Sequence, residues 1–161
     1  MLDKNQLIIS IISALSQLLA IAKEGAENAH AGAINEQSVA ETQYDTLGLE
    51  SAYLAEGLGR RVVMYHQEMN AYKQLVLREF GPDDAIKVGA LVQLGNNEGV
   101  VQTLFFGPCS GGLIITLAGQ KVTVITPSAP LGAALVGKYL DDEVTIMVAG
   151  KKQTWSIDKV Y

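Results

Sequence analysis

The sequence predicts an α+β protein, in which an N-terminal long antiparallel α-helical hairpin of coiled-coil type precedes a C-terminal antiparallel β-sheet domain with one short helix. Three observations carry this prediction. Apolar side chains recur every three or four residues through the first half of the chain, which is the period of a helix seam. Short alternating segments separated by glycine-rich turns fill the second half. Within that half, two prolines precede one short apolar segment, LGAALVGK, which ends in Gly and Lys.

Two long helices are predicted, one from Leu7 to Ala33 and one from Ala40 to Val76. The stretch AGAINEQS at residues 31–38 is short and polar at its end, so we expect it to reverse the chain and make the helices antiparallel. Ser38 is the expected N-cap of the second helix, and Glu41 lies three residues later, where a capping box needs its acid.

The two helices are expected to pair through an apolar seam that thins toward the connection. The predicted seam of the first helix consists of Leu7, Ile11, Ala14, Leu18, Ala22, Gly25 and Ala29. The predicted seam of the second helix consists of Ala40, Tyr44, Leu47, Ser51, Leu54, Leu58, Val62, Tyr65, Met69, Tyr72 and Val76. Alanine and glycine replace leucine and isoleucine near the connection, and small residues let two helix backbones approach closely. At the rise of an α-helix, residues 5–31 span about 40 Å, so the hairpin is expected to project from the second domain.

The chain divides into a hairpin over 1–79, a linker over 80–85 and a sheet domain over 86–161. Gly81 and Pro82 stop the second helix. The turn sequences NNEG, PCSGG, AGQ and AGK then separate the strand candidates. These candidates are ALVQLG, VVQTLFFG, GGLIITLAG, KVTVITP, EVTIMVAG and QTWSIDKV.

Composition restricts the classes of function. The formal net charge is -5, which disfavours direct nucleic-acid binding through phosphate neutralisation and favours a protein partner with a basic surface. Cys109 is the only cysteine, so no intramolecular disulfide can form, and a reducing compartment, the cytoplasm, is expected. Serines interrupt the apolar run at residues 7–22, which argues against a signal peptide, and its length argues against a membrane span.

The segment TPSAPLGAALVGKYLDDEVTIMVAGKKQTWSIDKV, together with the earlier strand VGALVQL and the hairpin, resembles the bacterial Gre transcription elongation factors. The resemblance spans nearly the whole chain and is most specific in this C-terminal half. It implies that the sheet domain is FKBP-like and that 126–138 builds its strand-to-helix corner. Asp141 and Asp142 stand where the family usually has Gly-Asp.

The resemblance implies that RNA polymerase is the partner. The sheet domain would dock on the rim of the polymerase's secondary channel, and the hairpin would reach toward the catalytic centre, meeting nascent RNA only through the polymerase. A monomer is expected, with no enzymatic activity and no stably bound cofactor of its own. The candidate contacts with polymerase are Pro127, Leu131, Leu135, Lys138, Arg60 and Arg61.

The hairpin tip departs from the family. Cleaving members carry there an Asp and a Glu three residues apart, which hold the polymerase's second magnesium and position a water. Aligning Tyr44 with the family tyrosine puts Gln37 and Ala40 at those positions, and a slip of one residue recovers only Glu41. The nearby acids Glu36, Glu41 and Asp45 are the candidate magnesium ligands shared with the polymerase active site. The favoured explanation of each acid is structural: a capping box for Glu41, a favourable helix-start charge for Asp45 and a solvated loop charge for Glu36.

Three readings other than a cleavage factor stay open at this point. The chain fits a secondary-channel inhibitor that antagonises cleavage factors without stimulating cleavage. FKBP-like architecture suggests a prolyl isomerase or chaperone, although the sheet domain has few aromatic residues with which to line an apolar pocket for proline. The apolar hairpin also fits a coiled-coil interaction protein that forms a stable dimer.

Overall fold

The computed structural model describes residues 2–39 and 47–161, and the side chains of residues 2–34 and 48–161. Two long helices lead, and six strands with one short helix follow, so the predicted fold class is confirmed. The elements are α1 (Lys4–Val39), α2 (Leu47–Gln74), β1 (Leu91–Gly95), β2 (Val101–Phe106), β3 (Ile114–Leu117), β4 (Gln120–Ile125), α3 (Pro130–Leu135), β5 (Glu143–Val148) and β6 (Lys151–Val160).

The chain forms two compact units. One contains Met1–Ile11 and Ala71–Tyr161, and the other contains Ile12–Asn70. The unit with the sheet therefore also includes the first turns of α1 and the end of α2. The domain boundary that the sequence places at 80–85 stays a prediction.

Within the helical unit, α1 and α2 run antiparallel. A Cβ built on Gly25 would lie 3.0 Å from Leu58 Cδ1, and one on Gly32 would lie 3.4 Å from Ser51 Oγ. Gly32, later in α1 than Gly25, therefore faces Ser51, which comes earlier in α2 than Leu58. This is the pattern of an antiparallel pair. Small residues at these points let the helices approach, as the sequence predicts.

Three of the predicted seam residues are wrong. Leu18 is 36% exposed, Leu54 is 57% exposed, and Val76 is 86% exposed and lies beyond the end of α2. Leu15 is buried in place of Leu18, and half-buried Ala55 takes the seam position next to Leu54. The error at Leu54 is a slip of one residue onto the larger neighbour, whereas the buried leucine nearest Leu18 lies three residues earlier, at Leu15; the register between the two helices decides both positions.

The predicted connection at 31–38 is also wrong, because α1 continues through it to Val39. Ser38 lies inside that helix and therefore does not cap α2. The stretch contains Ala, Ile, Glu and Gln, which are good or tolerable helix formers, and its single Gly32 costs only about 1 kcal/mol relative to Ala. The capping partner Glu41 lies outside the described residues.

The six strands form one sheet in the order β3-β4-β2-β1-β6-β5. All neighbouring pairs are antiparallel except β2 and β4, which are parallel, so the sheet is mixed where the sequence predicted antiparallel pairing throughout. The long connection 107–113 carries β3 out to the sheet edge, and the tight Ala118–Gly119 turn brings β4 back between β3 and β2. A backbone hydrogen bond of 2.9 Å from Gly107 to the Ile125 carbonyl fixes this arrangement.

Both faces of the sheet carry buried side chains. The main core consists of Phe80, Ile86, Ala90, Val92, Leu94, Leu104, Phe106, Ile125, Leu135, Val144, Trp155 and Ile157. On the opposite face, Phe105 and Val124 face each other across β2 and β4 and are almost completely buried. The hydroxyl of buried Tyr72 donates to the Cys109 carbonyl oxygen at 2.7 Å. Gly107 is required beside it, because a Cβ there would lie 2.3 Å from Tyr72 Oη.

Candidate functional site

The corner between β4 and α3 is built by a compact set of local contacts. The Thr126 carbonyl oxygen accepts a 3.0 Å hydrogen bond from Ala129 N, and the Thr126 and Ser128 hydroxyls lie 3.1 Å apart. Pro130 then occupies the first turn of α3, where its missing N–H costs nothing. Gly132 packs directly on the corner, because a Cβ there would lie only 2.0 Å from the Thr126 carbonyl oxygen.

The far side of the corner is tied to the segment that follows the linker. Gly137, with φ of 78°, ends the turn after α3. Its N–H donates to the Ile86 carbonyl oxygen at 2.9 Å, and the Ile86 N–H donates to the Lys138 carbonyl oxygen at 2.8 Å. These reciprocal bonds hold the backbone of Lys138 in place while its side chain stays exposed.

The sequence-predicted contact residues of the corner do not share one environment. Pro127 and Lys138 are exposed, and Leu131 is half-buried against the core. Leu135 is 0% exposed and belongs to the core, so it has no surface to offer a partner. The reason is helix geometry: Leu135 lies four residues after Leu131, one turn further along the same inward face.

Two exposed apolar residues beside the corner were missed by the sequence interpretation. Val136 is 42% exposed and Tyr139 is 46% exposed. Tyr139 N donates to Asp142 Oδ2 at 2.9 Å, which orders the DDE turn that follows. The stop signal Gly137 indicated that this stretch leaves the helix, and therefore that its apolar side chains need not point inward. We call Pro127, Leu131, Val136, Lys138 and Tyr139 the corner surface.

The two candidate arginines lie in the helical unit. Arg60 and Arg61 are both exposed on α2. Arg60 Nη1 lies 3.5 Å from Glu56 Oε1 one turn earlier, and the two side chains are 75% and 64% exposed. An ion pair this exposed contributes little to stability, so it leaves Arg60 available for other partners.

The three candidate acids fall at or beyond the limit of the described residues. Glu36 belongs to α1, but its side chain is outside the described set, and Glu41 and Asp45 are outside it entirely. Among the side chains that the structure describes, no group of three or more His, Cys, Asp and Glu residues is arranged to hold a metal ion. The assignment of magnesium ligands at the tip stays a prediction.

A cluster around Phe80 was not anticipated from the sequence. Lys4 Nζ donates to the Arg78 carbonyl oxygen and lies 5.0 Å from the Phe80 ring centroid, while the Arg78 guanidinium lies 4.1 Å from the same centroid. Burial lowers the pKa of Lys4, which is 6% exposed. Arg78 also pairs with Asp84 at 3.3 Å. A hydrogen bond from the Gly81 backbone, assisted by Arg78, lowers the pKa of Asp84.

One helix within the described part of the chain, over Lys4–Ile34, is long and apolar enough to cross a membrane by length and composition, with a mean hydropathy of 1.7. The core helix of a soluble protein and an N-terminal signal sequence satisfy the same criterion, so it does not distinguish these classes. The cytoplasmic location, the monomeric state and the FKBP-like label of the sheet domain stay predictions.

Comparison with known proteins gives structural neighbours only. No family model and no curated protein matches the chain. The chain is similar to a solved structure of the transcription factor Gfh1, with 15% identity, a TM-score of 0.41 and 94% of each chain covered. GreA factor homolog 1 of Thermus thermophilus gives 17% identity and a TM-score of 0.38, covering 93% of this chain and 94% of that one. The chain is also similar to the prokaryotic transcription elongation factor GreA/GreB from Nitrosomonas europaea, with 17% sequence identity and a TM-score of 0.35. That match covers 60% of this chain and 78% of the other.

Proposed function

We propose that this chain is a regulator of transcription elongation that binds RNA polymerase. The sheet domain docks at the rim of the secondary channel, and the helical hairpin extends toward the catalytic centre. The observation that supports this most directly is the C-terminal segment from Thr126 to Val160, whose resemblance to the closing segment of Gre factors coincides with the strand, corner, short helix and hairpin described above.

The corner surface is the proposed docking element. It combines exposed Pro127, Val136 and Tyr139 with the ammonium group of Lys138, and a mixture of apolar area and a single charge is typical of a specific protein contact. Leu135 supports this docking element without contacting a partner, because its burial in the core holds α3 against the sheet. Arg60 and Arg61 are proposed as secondary contacts that add electrostatic attraction from the hairpin.

The chemistry of transcript cleavage, where it occurs, belongs to the polymerase. Carboxylates suit magnesium because hard oxygen atoms are its preferred ligands, and Glu36, Glu41 and Asp45 are the acids that would share the polymerase's ion. The spacing of these acids departs from the family pair. A channel-occupying regulator that antagonises cleavage factors is therefore the second form of the same proposal, supported by the absence of that pair from the sequence.

Polymerase binding is the first test. Purified RNA polymerase would be titrated with the full-length chain and with a Pro127→Ala, Lys138→Glu variant. We expect about tenfold weaker binding by the variant, because it removes apolar contact and reverses one charge. Lys121→Glu, on the exposed surface of β4, makes the same charge change away from the corner and should bind as the wild type does. Absence of binding by the wild-type chain removes the proposal.

Cleavage is the second test and separates the two forms. Stalled elongation complexes would be incubated with the wild-type chain or with a variant carrying Glu36→Ala, Glu41→Ala and Asp45→Ala, at equal occupancy of polymerase. Shortened transcripts with the wild type alone would assign metal holding to these acids. Binding without cleavage would support the channel-occupying form, whereas full cleavage by the triple variant would refute the assignment of the acids.

A further inference from the structure

Strand β5 lies at one edge of the sheet, and β3 lies at the other. Among the described residues, β5 pairs with β6 alone, and no backbone hydrogen bond joins Glu143–Val148 to any other element. The strand contains no proline, its pairing with β6 is regular, and no charged side chain lies between Glu143 and Lys151. Natural proteins usually protect sheet edges with prolines, bulges or lysines. β5 is therefore an unprotected edge, to which a further strand can be added.

The turn at Ala149–Gly150 determines which backbone groups of β5 face away from β6. Both turn residues have positive φ, 49° and 76°, as in a two-residue hairpin loop whose closing hydrogen-bonded pair is Val148 and Lys151. Hydrogen-bonded and outward-facing residues alternate from there along an antiparallel strand. The 2.9 Å hydrogen bond from Ile157 N to the Asp142 carbonyl oxygen continues this alternation. The residues whose N–H and C=O groups point outward are therefore Glu143, Thr145 and Met147.

The charges around β5 form two blocks of opposite sign. In the sequence DDEVTIMVAGKK, three acids at 141–143 stand at the start of the strand, and two lysines at 151–152 stand at its far end, directly after the turn. The strand between them presents uncharged side chains, of which Met147 is 65% exposed and Val148 is 42% exposed. Two such edges paired antiparallel place the acids of each beside the lysines of the other, whereas parallel pairing would bring like charges together.

A two-fold axis at Thr145 gives the register in which every outward-facing group of β5 has a partner. Thr145 then lies opposite Thr145 of the second copy, and Glu143 lies opposite Met147 of the second copy. Within one chain, Met147 lies opposite Lys152 on β6. Directly opposite residues project from the same face of a sheet, so Glu143 and Lys152 of the second copy share one row, with Cα atoms about 10 Å apart.

We propose that β5 pairs antiparallel with β5 of a second copy of this chain, so that two sheets join into one continuous sheet. The contact involves one strand from each copy and is small, so the dimer is reversible, with a Kd in the micromolar range. The opposite charges at the two ends select the register and the partner more than they add affinity. This dimer replaces the monomer that the resemblance implies, and it does not depend on polymerase binding.

Sedimentation velocity over a concentration series of the full-length chain would detect the dimer, and amide hydrogen exchange at low and high concentration would locate it. We expect the N–H groups of Glu143, Thr145 and Met147 to exchange more slowly at high concentration, because the dimer converts solvent-facing donors into hydrogen-bonded ones. A chain that stays monomeric overturns the proposal. A dimer in which these three amides stay unprotected also overturns it, and would indicate contact through another surface such as the helical hairpin.

A pair of proline variants tests the edge itself. Thr145→Pro removes one outward N–H that the β5–β6 pairing does not use, so the fold should persist and dimerisation should weaken at least about tenfold. Thr116→Pro makes the same change on β3, where the Ala118–Gly119 turn sets the same alternation and directs the Thr116 N–H outward from the opposite edge. This control should dimerise as the wild type does. Trp155 fluorescence would show that each variant is folded, and equal dimerisation by both variants would refute the proposal.

A charge exchange tests the register with the ladder intact. Glu143→Lys and Lys152→Glu should each weaken the dimer by about tenfold at low ionic strength, because two symmetry-related rows change from attraction to repulsion. An equimolar mixture of these two variants should restore dimerisation, since every row again contains opposite charges. Glu143→Lys mixed with Lys121→Glu has the same total charge but changes a lysine on β4, and should not restore it. Equal dimerisation by the two mixtures would overturn the proposed pairing.

Discussion

Replacing Gly132 with alanine tests whether the corner before α3 is as tightly constrained as its contacts indicate. The new Cβ would lie 2.0 Å from the Thr126 carbonyl oxygen and 2.9 Å from its carbon. Both neighbours are backbone atoms, and the same oxygen accepts the Ala129 hydrogen bond. The clash therefore cannot be relieved by rotating a side chain, and α3 must move by about 1 Å or more to reach ordinary van der Waals contact.

That movement would withdraw Leu135 from the core. Fully burying such a side chain contributes about 1.5–3 kcal/mol, and forcing extra volume into a packed site typically costs about 1–3 kcal/mol. Alanine recovers about 1 kcal/mol through its higher helix propensity. We therefore expect Gly132→Ala to lower the free energy of unfolding by about 1.5–5 kcal/mol.

Gly57→Ala is the matched control. It is the same chemical change inside α2, where nothing lies within 4 Å of the added Cβ. Here the propensity gain stands alone, and we expect stabilisation by about 0.5–1 kcal/mol. Urea unfolding would be followed by Trp155 fluorescence for the sheet and by far-UV circular dichroism for the helices. If Gly132→Ala unfolds at the wild-type urea concentration, or if both variants shift in the same direction, the steric reasoning is refuted.

Three further predictions concern the same fold. Leu135→Ala should destabilise the sheet domain by about 2–5 kcal/mol, as expected of a fully buried leucine. A loss of stability below about 1 kcal/mol in urea unfolding would contradict the burial of Leu135 and indicate a surface position. Ala149, which has φ of 49° in the turn between β5 and β6, should gain about 0.5–1 kcal/mol on replacement by Asn, because Asn-Gly suits this turn and tolerates the left-handed region; a lower Tm would contradict this. Asp84 has a lowered pKa in the folded state, so its stabilising contribution is present above its ordinary pKa and is lost as pH falls through the folded value. Asp84→Asn should accordingly reduce the loss of stability on acidification, and an unchanged difference between neutral and acidic urea midpoints would rule this contribution out.

Sequence periodicity identified the elements because it reflects local geometry. The three-and-four spacing required two helices that bury one seam, and the Ala-Gly turns between alternating residues required tight hairpins at 118–119 and 149–150. The composition of LGAALVGK, residues 131–138, likewise located α3 to within three residues. Each of these features is decided by residues close together in the chain, and none requires knowledge of the distant chain.

The errors of the sequence interpretation all involve distant partners or weak local signals. The parallel pairing of β2 with β4 depends on where the connection 107–113 places β3, and no periodicity within β2 or β4 records it. Whether Leu54 or Ala55 faces α1 depends on the register between two helices. The continuation of α1 to Val39 shows that a polar stretch without a strong helix breaker does not by itself end a helix.

The candidate sites divide in the same way. The sequence by itself determined the order of the elements and the corner at 126–138, because these follow from short-range residue patterns. Only the tertiary structure decided that Leu135 supports the corner from inside the core and that Val136 and Tyr139 lie exposed beside it. It also placed β5 at an open edge of the sheet, beside β6. Burial and side-chain proximity depend on how separate segments pack, and a linear pattern does not contain that information.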